Sequence, residues 1–222
     1  HGPESFDRVI ACGPGLNWAS RLVQALDQVS TPYVLMLCDD YYLHRPVNTQ
    51  LLLRRLEQMQ RFNAANLRMI PKPKPAAGNA IGKRDDLFEY RKNTAYCIAT
   101  QAGFWAKDFL LRLAKPVASI WEFERYGSFA VADDPRPLLV TPTKEFPFLD
   151  AVHKGHWEKF GIRCLHDNGI DYDFSKRGLP PFKTRLIEWF KATVFALVPN
   201  TWIVRIQNRF ALGAKEKNRP TA

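Results

Sequence analysis

The chain has 222 residues, 46% of them apolar and 13% aromatic, which suits one domain with a real core and an appendage. Its formal net charge of +10 points to an anionic partner: phospholipid, nucleotide or nucleic acid. Four cysteines (Cys12, Cys38, Cys97, Cys164) without a CxxC pair argue against a zinc site or disulfide framework and for reduced thiols, and neither a signal peptide nor an apolar run of the ~18 residues needed to span a bilayer is visible.

Residues 6–12 read as a short strand, which Gly13-Pro14-Gly15 breaks. Trp18, Leu22, Ala25, Leu26 and Val29 recur at helical spacing and predict an amphipathic helix over 17–29. Ser30-Thr31-Pro32 ends it. The run Tyr33-Val-Leu-Met-Leu37 is short, unbroken and rich in β-formers, so it predicts a buried central strand. Asp39 and Asp40 follow at once. Two carboxylates at the end of a buried strand are costly unless they meet a cation or leave the core. The C-terminal edge of the strands is also where open α/β sheets bind ligands. The pair therefore reads either as a site for a divalent metal and a diphosphate, or as a plain turn with one Asp capping it. Together these stretches predict a β-α-β unit with parallel, helix-covered strands. The Gly13-x-Gly15 turn lacks the third glycine of a dinucleotide fingerprint.

Pro46 and Asn48 open a second predicted helix that runs to about residue 62, with Leu52, Leu56 and Met59 on one face. Residues 66–70 predict a strand. Residues 71–75 alternate Pro and Lys, and Gly78 and Gly82 follow. This basic loop is either a lid over an anionic ligand or an exposed connection. Residues 94–100 predict another buried strand, and 104–113 a helix with Trp105, Phe109 and Leu113 inward. In residues 119–127, Trp121 and Phe123 alternate with Glu122 and Glu124. Two carboxylates beside two aromatics suit a general base in a sugar pocket; the plainer reading is an exposed helix start, where Glu is favoured. Residues 138–142 predict a short strand. His153, His156 and His166 come after it, and His153-x-x-His156 is a spacing that could bind metal.

From residue 175 onward ten Lys or Arg face only Glu188 and Glu216, so this tail carries +8 of the net charge. Trp189, Phe190, Trp202 and Phe210 stand among aliphatics on both sides of Pro199. Two basic, Trp-bearing amphipathic helices predict an in-plane anchor on an anionic membrane. The alternative is packing on the domain or in a homo-oligomer. A nucleic-acid partner is not expected, because the charge lies in an apolar tail and not along a polar groove with stacking aromatics. The predicted division is a catalytic domain over 1–178 and a membrane-association tail over 179–222.

The order of these motifs carries a resemblance. Asn17-Trp18, the Tyr33–Tyr42 stretch with Cys38-Asp39-Asp40, then Thr100-Gln-Ala-Gly-Phe-Trp105, then Trp121-Glu-Phe-Glu124 resemble bacterial GT-A glycosyltransferases of lipopolysaccharide and capsule synthesis, over about residues 6–178. The resemblance implies a GT-A-like, Rossmann-like α/β fold with a mostly parallel sheet flanked by helices. It implies a nucleotide-sugar donor, a lipid-linked or glycan acceptor, and Mn²⁺ or Mg²⁺ held by a D-x-D motif. Cys38 stands where the first Asp of that motif would be. Asp40 then matches its metal-binding Asp, Asp39 and Gln101 face the donor, and His153 is a further candidate metal ligand. The resemblance also implies an acidic base in the acceptor half, Glu122 or Glu124. Lys83 or Arg84 in the basic loop, or Arg91 or Lys92 beside it, would neutralise the leaving diphosphate. An inverting transfer on the cytoplasmic face of the plasma membrane is the expectation; a non-catalytic, membrane-bound scaffold of the same fold is the alternative. Only 38 residues precede Asp39, so the unit that contacts the nucleotide base in this family is expected to be incomplete.

Overall fold

The computed structural model describes residues 9–72, 75, 80–81, 86–92, 94, 96–153, 155–171, 173, 178–179 and 181. In chain order these form α1 (Trp18–Asp27), β1 (Tyr33–Met36), β2 (Tyr41–Leu43), α2 (Thr49–Arg61), β3 (Asn66–Arg68), β4 (Ala80–Ile81), β5 (Leu87–Glu89) and β6 (Gly103–Ala106). Then follow α3 (Lys107–Ala114), α4 (Ile120–Ala130), β7 (Leu138–Val140), β8 (Phe148–Asp150), β9 (Val152–His153), β10 (His156–Trp157) and α5 (Lys159–Asp167). Lys83, Arg84, the first strand's Phe6 and the tail from residue 182 lie outside the described residues.

Side-chain caps start the main helices. Asn17 accepts from the Ser20 amide at 2.8 Å to open α1, and Asn48 accepts from the Leu51 amide at 3.0 Å to open α2. Ser119 and Glu122 close a capping box at the start of α4.

Among the described residues the main sheet has six strands in the order β1-β6-β3-β7-β5-β4. Only the β3–β7 pair is parallel; the other four pairs are antiparallel. The sheet is therefore mixed and mostly antiparallel, which corrects the parallel expectation. The directions still carry meaning. Antiparallel β6 lies between β1 and β3, so β1, β3 and β7 all point the same way. Met36, Gly103, Arg68 and Val140 share one row across them. The chain segments beyond β1, β3 and β7, together with the segment leading into β6, meet at one edge.

Helices α1, α3 and α4 contact one another, while α2 contacts β3. Trp105 anchors the helical layer, its ring 5.8 Å from Phe123 and 6.2 Å from Phe109, with Trp18 5.5 Å from Phe123. Gly103 permits the close approach of β6 to β3: a Cβ there would stand 2.7 Å from the Leu67 carbonyl oxygen. A smaller unit sits beside the sheet. Ribbon β2–β8, hairpin β9–β10 and α5 enclose Ala151, Trp157 and Leu165. Gly161 lets α5 lie against Ala151, whose backbone a Cβ would meet at 2.7 Å.

Several predicted elements change. Residues 9–12 form no strand, so the predicted β-α-β unit is not found in the described residues. β1 is half-buried and lies at the edge of the described sheet, not at its centre. Residues 104–106, predicted as helix, are the end of β6; Trp105 is buried as a strand residue, and the helix begins at Lys107. The predicted strand over 94–100 is an irregular segment, although Cys97, Ile98, Ala99 and Thr100 are buried as expected.

The reason is Arg68. It ends β3 fully buried, and its guanidinium donates to the carbonyls of Lys72 (2.6 Å), Tyr96 (3.2 Å) and Cys97 (2.8 Å). Its guanidinium carbon lies 4.6 Å from the Tyr90 ring centre. The Tyr96 and Cys97 carbonyls that a strand would offer to a neighbour turn inward to this cation instead. Tyr96 takes φ +60 to do so, a conformation that costs a bulky residue roughly 1–3 kcal/mol. Replacing Arg68 by Met leaves three inward carbonyls without their donor, each costing about 1–3 kcal/mol. Urea denaturation of Arg68→Met is expected to show a loss of roughly 3 kcal/mol or more. A loss below roughly 1 kcal/mol would show that water replaces the guanidinium without penalty.

Candidate functional site

The Asp39-Asp40 pair occupies the turn between β1 and β2, at the edge where β1, β3 and β7 end. The Tyr41 amide donates back to the Cys38 carbonyl at 3.2 Å and tightens this turn. The β2–β8 ribbon, registered from Tyr41 opposite Asp150 to Leu43 opposite Phe148, fixes its far side. Tyr41 stacks on Phe148 with ring centres 4.0 Å apart. Asp39 is exposed; Asp40 is half-buried, with Oδ1 shielded from solvent. A turn thus presents one carboxylate outward and holds the next against the protein, at the place the sequence indicated.

Cys38 binds this turn to the rest of the edge. Its thiol donates to the Thr100 carbonyl at 3.4 Å. Burial, then the Asp40 and Asp39 carboxylates, push its pKa up to about 11. Cys38 is therefore a neutral thiol at physiological pH and contributes no negative charge to the turn.

Thr100 also receives Glu124. Its amide and its hydroxyl both donate to Glu124 Oε1, each at 2.8 Å. Both bonds fall on one oxygen, Oε1, and Oε2 takes part in neither. Helix α4 holds Glu124 in place through the next turn. The Ser128 hydroxyl donates to the Glu124 carbonyl at 2.8 Å and accepts from the Ile98 amide at 3.2 Å. Gly127 allows the contact, since a Cβ there would stand 2.8 Å from the Ile98 side chain. The Asp pair and Glu124, more than eighty residues apart in sequence, are thus joined through Cys38 and Thr100. Gln101, next in the chain, is half-buried, and its shielded Oε1 accepts no hydrogen bond from the described residues.

Glu122 faces the other way. It is exposed, and its Oε2 accepts from the amides of Ala118 (2.8 Å) and Ser119 (3.2 Å). Those amide bonds hold its carboxyl below the ordinary carboxylate range. For Glu122 these contacts are those of the plainer reading, an exposed helix start. Trp121 is 71% exposed, while Phe123 is buried beneath Trp105.

Arg91 and Lys92 do not join the turn. Lys92 donates its ammonium to the Asp134 carbonyl, and Tyr90 pairs with Leu138 at the start of β7. Lys92 therefore sits at the opposite end of the sheet, and exposed Arg91 lies next to Tyr90 there. The backbones of His153 and His156 are paired across the β9–β10 hairpin. The His153 side chain lies outside the described residues, and His156 is half-buried with Nδ1 shielded. His166 is exposed on α5, 3.7 Å from Asp167. Thr100 opens the Thr100-Gln-Ala-Gly-Phe-Trp105 motif, yet sequence reading assigned it no role of its own; a polar side chain closing the buried run Cys97-Ile-Ala-Thr100 was the further signal.

Among the described residues no three His, Cys, Asp or Glu side chains converge as a metal cage. The donor set at the turn is two adjacent carboxylates. Mg²⁺ and related hard cations are commonly held by one or two carboxylates, with substrate phosphates and water completing the shell. Asp39 and Asp40 fit that pattern with a phosphorylated ligand present. Comparison with family models, with curated proteins and with solved structures returns no match.

The contacts at Cys38 yield a direct test. In a chain with Cys12, Cys97 and Cys164 replaced by Ser, alkylation of Cys38 at pH 8 is expected to be slow and to accelerate toward pH 11. Asp40→Asn removes one of the two charges that oppose thiolate formation, so the same acceleration should begin at lower pH. An unchanged alkylation profile in Asp40→Asn would mean that the carboxylate does not act on Cys38.

Proposed function

We propose that this protein is a glycosyltransferase of the GT-A type that moves a sugar from a nucleotide-sugar donor to a lipid-linked or glycan acceptor in bacterial cell-surface glycan synthesis. The observation that carries this reading is the Thr100 junction. A general-base candidate, Glu124, and a two-carboxylate turn suited to a metal-bound diphosphate share one sheet edge through a single residue. The α/β architecture, with β1 ending in the Asp pair, agrees with the motif order of the sequence.

In this reading Glu124 Oε2 takes the proton of the acceptor hydroxyl as that oxygen attacks the anomeric carbon from the face opposite the leaving group. The bond from the anomeric carbon to the phosphate oxygen breaks, and a nucleoside diphosphate departs. The charge that develops on it is what Mn²⁺ or Mg²⁺, held by Asp40 and Asp39, would offset. Gln101 Oε1 supplies an acceptor for a donor hydroxyl. Lys83 and Arg84 remain candidates for the diphosphate, from outside the described residues. No helix among the described residues is long and apolar enough to cross a membrane. The basic tail supports attachment to the surface of an anionic leaflet.

The two glutamates separate the catalytic reading from a structural one. Glu124→Gln is expected to lower kcat roughly a hundredfold or more, measured as release of nucleoside diphosphate from a panel of nucleotide-sugars. Its thermal shift with donor nucleotide and Mn²⁺ should persist. Glu122→Gln should keep near-normal turnover with a slightly lower melting temperature. Asp40→Asn should lose the Mn²⁺-dependent nucleotide shift. Normal turnover in Glu124→Gln, or an intact Mn²⁺-dependent shift in Asp40→Asn, overturns the corresponding assignment.

A further inference from the structure

The small unit beside the sheet turns an apolar and basic face outward. On α5, Gly161 and Leu165 point inward and Ile162 packs against the same small core. The opposite side carries Lys159, Phe160, Arg163 and His166, all exposed, with Phe160 at 69%. The Arg163 guanidinium lies 6.0 Å from the Phe160 ring centre. Cys164, one helical turn after Phe160, directs its thiol to the Leu43 carbonyl at 3.8 Å. Leu43, itself 47% exposed, therefore adjoins the Phe160 side of α5, with exposed His44 and Arg45 next along the chain. Asp167 is the acidic residue on this side of the helix, and it pairs with His166.

The path of the chain indicates what covers this face. The Gly178 carbonyl accepts from the Trp157 amide at 3.2 Å, two residues before α5 begins. The chain thus returns to this unit just before its last described residue, Pro181. The forty-one residues that follow Pro181 hold eight Lys or Arg against two Glu, with Trp189 and Trp202 among them. An aromatic side chain beside cations is the chemistry of a headgroup boundary, and the basic sequence that continues from this point has the same chemistry.

We propose that Leu43, Lys159, Phe160 and Arg163 form a second contact with an anionic lipid leaflet, built into the folded domain beside the tail. The proposal rests on reading the tail as the lipid-binding segment. Leu43 lies three residues beyond Asp40 along β2, about 10 Å at the rise of a strand. A leaflet touching α5 and Leu43 would then hold the Asp turn at a set height above the lipid.

Flotation of the full chain with phosphatidylcholine vesicles, and with vesicles containing phosphatidylglycerol, tests this without any sugar substrate. Failure of glycosyl transfer therefore leaves the outcome intact. The double variant Lys159→Glu, Arg163→Glu is expected to float several-fold less than the unmodified chain on phosphatidylglycerol vesicles, with unchanged circular dichroism. An environment-sensitive fluorophore on Phe160→Cys, with Cys12 and Cys164 replaced by Ser, should shift to the blue on those vesicles. The same label on Leu53→Cys of α2 should not. Equal flotation of the double variant and the unmodified chain, or a silent label at 160 while the chain floats, shows that the tail binds alone and overturns the proposal. A blue shift that depends on protein concentration without lipid overturns it in favour of a second copy of the chain. No flotation of any form overturns both this contact and the reading of the tail.

Discussion

The buried guanidinium of Arg68 is the constraint on which the site geometry depends. A fully buried cation is costly, and among the described residues backbone carbonyls solvate this one. The charge offsets its own burial only if the chain keeps the Lys72, Tyr96 and Cys97 carbonyls turned inward. That requirement fixes two loops at once, the one after β3 and the one before β6. The second of these carries Thr100 and Gln101.

From Thr100 the order propagates sideways. The Thr100 carbonyl receives Cys38, which stands next to the Asp pair, while its amide and hydroxyl receive Glu124. One residue with three polar backbone and side-chain groups thus sets the relative position of two acidic elements that come from opposite ends of the domain. The far side of the α2 helix is fastened to the same edge by a different pair. Arg55 grips Glu145 through Nε at 2.7 Å and through Nη2, and the Glu145 amide donates to the Met69 carbonyl at 3.0 Å. Arg55 and Glu145 are both nearly buried, so this bidentate pair is shielded from salt in a way that a surface pair is not. At the opposite end, Asp134 takes Arg136 and Arg112, which hold its carboxyl below the ordinary range although burial works the other way. These two ion-pair clusters brace the edge and the opposite end of the sheet.

Local signals made α1, α2 and the start of α4 legible, while α5 was not predicted. Asn17, Asn48 and Ser119 are caps that can be read directly, and the Ser119-x-x-Glu122 spacing carries the capping-box signature that assigns Glu122 to the helix end. The β1 run and the carboxylate turn after it were also visible, because an apolar run followed at once by two Asp has few physical solutions. Strand direction was not visible. Parallel and antiparallel pairing are chosen by which segment reaches an open edge, and β6 reaches the gap between β1 and β3 from far along the chain. Residues 94–100 misled for a related reason. An apolar, β-branched composition reports burial, and burial is what the segment has; its shape is imposed by a cation from another strand. Residues 104–106 were absorbed into a helix because Trp105 and Phe109 keep helical spacing across the strand–helix junction.

A thiol at Cys38, beside the Asp pair, has a consistent electrostatic logic. Three adjacent acidic groups on one tight turn would repel strongly with no cation nearby. A thiol that burial and its two neighbours hold protonated removes one charge and adds a hydrogen-bond donor. The donor is used on Thr100, so the position ties the turn to the residue that also holds Glu124. The remaining charge is concentrated on Asp39 and Asp40, one exposed and one held against the protein. A cation recruited there finds two protein carboxylates, and the rest of its shell has to come from water and from the ligand. Affinity for metal and affinity for a phosphorylated ligand are then coupled, since each completes the site for the other. Under the proposed function the turn would suit a metal–diphosphate complex better than a metal alone, and the Thr100 contacts keep Glu124 on the same edge.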